Sequence, residues 1–114
     1  MDERIEISML LDFYGSMLTD KQRDIMYLYY NEDFSLAEIS EHTNTSRQAI
    51  FDIVKRCNKI LIEYEDKLKL LEKFMKLTKT KELILNKLNE IDSSCDNIKI
   101  SNSINEIINE INNI

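Results

Sequence analysis

Within "SRQAIFDIVKRCNK", Ser46 to Lys59, the sequence sets two arginines, two lysines and a glutamine among apolar residues at helical spacing. If a helix begins at Ser46, its Ile50, Ile53 and Cys57 turn inward and leave Arg47, Gln48, Phe51, Asp52, Lys55, Arg56 and Lys59 on the outer side. These groups suit a polyanion that carries base edges. A guanidinium pairs with guanine and a carboxamide with adenine, which fits Arg47 and Gln48 at the helix start, while Lys55, Arg56 and Lys59 fit phosphate oxygens. Asp52 opposes phosphate unless it accepts from a cytosine amino group or is paired by Lys55 or Arg56. Phe51 suits a thymine methyl, a stacked base or half-buried packing.

The preceding residues supply what such a helix needs to be presented to a groove. In "FSLAEISEHTNTS", Ser35 and Glu38 stand in capping-box positions and predict a short helix ending near His42. Asn44 suits a left-handed turn and Ser46 an N-cap. Ile39, Ile50 and Ile53 fall where the core of a helix-turn-helix belongs, and Ser40 is small where the two helices cross. Thr43 and Thr45 occupy places that larger apolar groups often fill.

Two further helices are predicted upstream. Ile7, Leu10, Leu11, Tyr14, Met17 and Leu18 share one helical face, and "TDKQRDIMYLYY" opens with Thr19 and Gln22 in a second capping box, with Ile25, Leu28 and Tyr29 as its buried side. Downstream of Ser46 neither proline nor glycine interrupts the chain. Ile50, Cys57, Tyr64 and Leu71 alternate with Val54, Leu61, Leu68 and Met75, a heptad seam that predicts one helix from Ser46 to about Thr78. Such a seam cannot stay wet, so it predicts cover from residues 80–114, from a second copy in a homodimer, or from both. A break is expected at "KLTKTKE", then a short helix over "LILNKLNEI", a loop at "DSSCDN", and a tail helix whose stripe is Ile100, Ile104, Ile107, Ile111 and Ile114, with Ile108 beside it. Residues 1–79 form the helix-turn-helix part and residues 80–114 a packing or dimerisation segment of the same domain.

Composition agrees with an all-α fold, since the chain of 114 residues has no proline and one glycine. The net charge of −6 is unevenly spread. Residues 1–46 carry three basic and ten acidic side chains, residues 47–81 ten and five, and residues 82–114 two and six, giving −7, +5 and −4. The positive third starts where the presented helix starts. Cys57 and Cys95 lie far apart and His42 is the single histidine, so neither a zinc site nor a disulfide framework is expected, and both thiols should be free. With no glycine-rich phosphate loop and no catalytic cluster beside His42, no enzyme and no cofactor are expected. "MDERIEI" lacks a basic region leading into an apolar stretch, and Ile60-Leu61-Ile62 is too short to span a bilayer, so a cytoplasmic protein with no membrane insertion is expected.

The segment "LTDKQRDIMYLYYNEDFSLAEISEHTNTSRQAIFDIVKRCNKILIEYEDKL" resembles the C-terminal promoter-reading domain of sigma factors. With its "DFYG..LT.KQ" start and "R..IFD..KR" helix it is more closely similar to the YlxM family of small bacterial helix-turn-helix proteins, encoded beside the gene for the signal recognition particle GTPase. These resemblances imply a sigma-region-4-like helix-turn-helix bundle with a long, C-terminally extended recognition helix and short packing helices. The sigma likeness implies DNA contacts from Arg47, but Phe51 and Asp52 stand where sigma domains carry an arginine and a glutamine that read the promoter. The YlxM likeness implies a regulatory role in the signal recognition particle pathway, with DNA, RNA or a protein component of the particle as partner. The alternative is an interaction module that binds that machinery without touching DNA.

Overall fold

A computed structural model describes residues 2–114. Among them it has six α-helices and no strand: α1 Glu3–Tyr14, α2 Asp20–Tyr30, α3 Leu36–Thr43, α4 Arg47–Leu68, α5 Leu70–Ser93 and α6 Ile98–Asn112, with a 3-10 turn at Gly15–Met17. The chain divides into two compact units, the first ending at Leu71 and the second covering Glu72–Ile114.

Caps set the helix starts of the first unit. Thr19 and Gln22 close a capping box on α2, Ser35 and Glu38 close one on α3, and the Ser46 hydroxyl accepts from Ala49 N on α4. Each satisfies N–H groups that the helix cannot bond internally. The core then gathers around α4, which packs on α1, α2 and α3. Ile50, Val54, Cys57 and Leu61 bury against a core that includes Ile7, Leu10, Leu11 and Tyr14 of α1, Ile25 and Met26 of α2, and Ile39 of α3. Full burial of such a side chain contributes about 1.5–3 kcal/mol. The exposed ion pairs Arg4–Asp33 and Arg23–Asp20 contribute at most about 1 kcal/mol each. Packing therefore fixes α4.

Two upstream expectations change. Met17 is 56% exposed, because the 3-10 turn after Tyr14 breaks the helical period that would have carried it inward. On α2 the second fully buried residue is Met26, while Leu28 and Tyr29 are half-buried against the core.

The single helix expected from Ser46 to Thr78 is interrupted at Lys69, which adopts φ 58° and ψ 29°. No glycine or proline marks the place. The Tyr14 hydroxyl donates to Glu65 Oε1 at 2.6 Å and accepts from Leu70 N at 3.1 Å, and Glu65 Oε1 accepts from Leu71 N at 3.0 Å. Side chains of α1 and α4 thus satisfy the first amides of α5, which offsets the roughly 1–2 kcal/mol that a left-handed non-glycine residue costs. Tyr14 is 1% exposed and stacks on Tyr64 at 5.9 Å. Burial and the bond to Glu65 push its phenol pKa up, so it remains a neutral donor.

The break also changes what covers the seam. Through Leu61 it is buried by α1, α2 and α3 within the first unit, rather than by residues 80–114 or a second copy. Leu71 is buried too, whereas Leu68 and Met75 are exposed.

In the second unit α5 runs through "KLTKTKE" without the expected break, since none of those residue types stops a helix as proline does. The loop narrows to residues 94–97, and Asn97 caps α6 by accepting from Lys99 N at 2.9 Å. The tail is helical as its isoleucine spacing predicts, but the covered stripe differs. Ile104 is buried and Ser101, Ile108 and Ile111 are half-covered, while Ile100, Ile107 and Ile114 are exposed. Ser101 Oγ donates to Asp92 Oδ1 at 2.6 Å, tying the covered side of α6 to α5.

Replacement of Lys69 distinguishes an interrupted helix from a continuous one. Lys69→Gly should raise the stability measured by urea denaturation by about 0.5–1 kcal/mol, because glycine adopts the left-handed conformation without strain. In a continuous helix the same change would cost about 1 kcal/mol, so a fall would contradict the break.

Candidate nucleic-acid interface

The helix-turn-helix comprises α3, the turn around Asn44, and α4. Glu38 holds the start of α3: its Oε1 accepts from Ser35 N at 3.0 Å, while Ser35 Oγ accepts from Glu38 N at 3.1 Å. The backbone N–H of Ser35 leads in keeping this carboxyl below the usual glutamate range. At the turn Asn44 takes φ 53° and ψ 38°. The two threonines close it by hydrogen bonding rather than by packing. Thr43 Oγ1 donates to Ile39 O at 2.7 Å and Thr45 Oγ1 to Thr43 O at 3.2 Å, while Ser40 Oγ donates to Thr45 O. Small hydroxyl side chains thereby do locally what larger apolar groups do by contact.

Below the turn Ile39 and Ile50 are fully buried, and Ile53 is half-buried against the same core. Cys57 is buried, and desolvation pushes its thiol pKa up against a smaller opposing effect of Arg56. Above it, Arg47, Gln48, Phe51, Asp52, Lys55, Arg56 and Lys59 are all exposed. Among the described residues no salt bridge engages Arg47, Lys55, Arg56 or Lys59, whereas Arg4, Arg23 and Lys76 are each paired. Asp52 is engaged by Gln48, whose Nε2 donates to its Oδ1 at 3.1 Å, rather than by Lys55 or Arg56. The pair lies one turn apart, a spacing at which amide and carboxylate meet on a helix face.

The structure also contains an open cleft of about 290 Å³ lined by Tyr29, Tyr30, Leu36, Phe51, Val54, Lys55 and Asn58. The sequence pattern does not reveal it, since Tyr29 falls on the face of α2 expected to be buried, whereas in the structure it is only half-buried. The available signal was the spacing of Phe51, Val54, Lys55 and Asn58, which puts all four along one side of α4. Tyr30 and Asn58 are joined across α2 and α4, with Asn58 Nδ2 at 2.7 Å from Tyr30 Oη. Arg4 of α1 lies over the Tyr29 and Tyr30 rings, its Cζ at 4.9 and 5.1 Å from their centroids.

No group of three or more His, Cys, Asp or Glu side chains among the described residues is placed to hold a metal ion. No described helix is long and apolar enough to cross a membrane.

Comparison with known proteins matches residues 1–111 to the UPF0122 family model, described as "Putative helix-turn-helix protein, YlxM / p13 like". A UPF0122 protein of Clostridium novyi is 52% identical over 111 residues, which covers 97% of this chain and 96% of that protein. One from Clostridium kluyveri is 48% identical over 111 residues, covering 97% and 100%. Another from Clostridium perfringens strain 13 is 52% identical over 111 residues, covering 96% and 99%.

The buried underside of α4 has a chemical readout. Under native conditions a thiol reagent should titrate Cys95, which is partly exposed, while Cys57 reacts only after denaturation. Rapid labelling of both thiols in the folded protein would contradict the packing of α4.

Proposed function

The chain belongs to the UPF0122 family, and from that premise we propose that it is a non-enzymatic regulatory protein that binds nucleic acid through the outer face of α4. Arg47 and Gln48 reach base edges from the start of the helix, Lys55, Arg56 and Lys59 take phosphates, and Phe51 and Asp52 lie between them. The observation that carries this reading is the row of exposed cations on a helix fixed from beneath, none engaged in a salt bridge among the described residues.

The overall charge of −6 does not decide against it. At physiological ionic strength the screening length is about 8 Å, so phosphates lying on α4 respond chiefly to the charges beside them. Asp52 weakens the local field, but its bond to Gln48 gives the carboxylate a partner on its own helix. That bond must open before Gln48 turns its amide to a base.

The three phosphate contacts assigned to each protomer correspond to a salt slope of only about −2.7, which makes one copy a weak binder near physiological salt. A homodimer doubles the contacts and sets a half-site spacing. Residues 80–114 are the proposed dimerisation segment, supported by the exposed Ile100, Ile107 and Ile114. The same exposed isoleucines favour a second reading, an interaction module for a protein of the signal recognition particle machinery, in line with the YlxM likeness. Both readings place the protein in the cytoplasm.

Binding to short DNA and RNA probes, followed by fluorescence anisotropy between about 50 and about 200 mM salt, separates the two. The nucleic-acid reading predicts affinity that falls steeply with salt and is lost when Arg47→Ala and Lys55→Ala are combined. Lys55→Ala alone should reduce the slope by about one. Salt-insensitive binding, or a double variant that binds as the parent does, would contradict it.

A further inference from the structure

We propose that the cleft between α2, α3 and α4 receives one unstacked nucleobase, so that the protein prefers nucleic acid containing an unpaired base to a fully paired duplex. The proposal rests on the nucleic-acid reading of α4 and specifies the form of ligand that site takes. Three of the seven side chains lining the cleft are aromatic, Tyr29, Tyr30 and Phe51, which is the lining expected for a flat π-system. Phe51 is 47% exposed and is the ring most open to a ligand.

The polar groups favour a nucleotide over an apolar peptide. Lys55 is the one charged residue in the lining and also belongs to the outer cationic row of α4, so a base in the cleft would bring its own phosphate to a cation already in place. No carboxylate lines the cleft. Burial pushes the Tyr30 phenol pKa up, so this hydroxyl stays neutral beside an anion. Asn58 shares a hydrogen bond with Tyr30 and, with two donors and two lone pairs on its carboxamide, has capacity left for a base edge. The Arg4 guanidinium packs over Tyr29 and Tyr30 while paired with Asp33, so it buttresses the two rings rather than supplying charge to the cleft. A duplex keeps its bases stacked inside and has none to offer; a bulge, a loop or a single strand does.

The full-length protein should be titrated against a short duplex and against the same duplex carrying one bulged adenine, each made in DNA and in RNA to separate the two sources. Stacking of one base on aromatic side chains corresponds to a preference of about 5- to 100-fold for the bulged probe. That preference should collapse to near unity in Phe51→Ala and survive in Phe51→Tyr, with circular dichroism checking that both variants keep their helix content. Equal affinity of the parent for paired and bulged probes would overturn the cleft proposal while leaving binding by α4 intact. So would a preference that persists in Phe51→Ala. Failure to bind either probe would overturn both readings, and chemical-shift changes at Phe51 and Asn58 on adding an apolar peptide would then assign the cleft to a protein ligand.

Discussion

Ile50, Val54, Cys57 and Leu61 are sealed against α1, α2 and α3, and a helix held along that line cannot turn about its axis. One residue occupies about 100° of a helix, so slipping by a single position would swing a buried isoleucine toward water and a lysine toward the core. The outer face is thereby fixed by its opposite side. The cations of α4 are presented because the apolar residues between them have nowhere else to go. This is also why a chain of net negative charge can keep a positive surface: core packing sets which residues emerge, and the threonine-closed turn and the Ser46 cap set where the helix begins.

The helix that covers α4 also ends it. Tyr14 sits in the core of the first unit, yet its hydroxyl reaches the junction after Leu68, where with Glu65 it satisfies the first amides of α5. A left-handed lysine is tolerated because these bonds replace those the helix loses. Burial in the first unit reaches Leu71, and the residues that follow form a unit of their own.

Much of the local structure was legible in the sequence because its signals are local. Ser35 with Glu38, Thr19 with Gln22, Asn44 and Ser46 each act within a few residues, and each does in the structure what its type and spacing imply. The helix break was not legible, since its cause is a tyrosine fifty-six residues before the amide it caps. The seam was recognised but its cover was not, because periodicity identifies a buried face without naming what buries it. On α6 the isoleucine count obscured which stripe turns inward, as exposed Ile107 and half-covered Ile108 are the same residue type one position apart. The aromatic cleft went unseen because its walls come from three helices, and only one wall has a readable spacing.

The central claim is that the outer face of α4 meets a polyanion, and lysine footprinting tests it most directly. With saturating nucleic acid at low salt, Lys55 and Lys59 should be protected from acylation while Lys87 in the second unit serves as an internal reference, and the protection should disappear as salt is raised. A complex in which Lys55 and Lys59 acylate as fast as in the free protein would contradict the account.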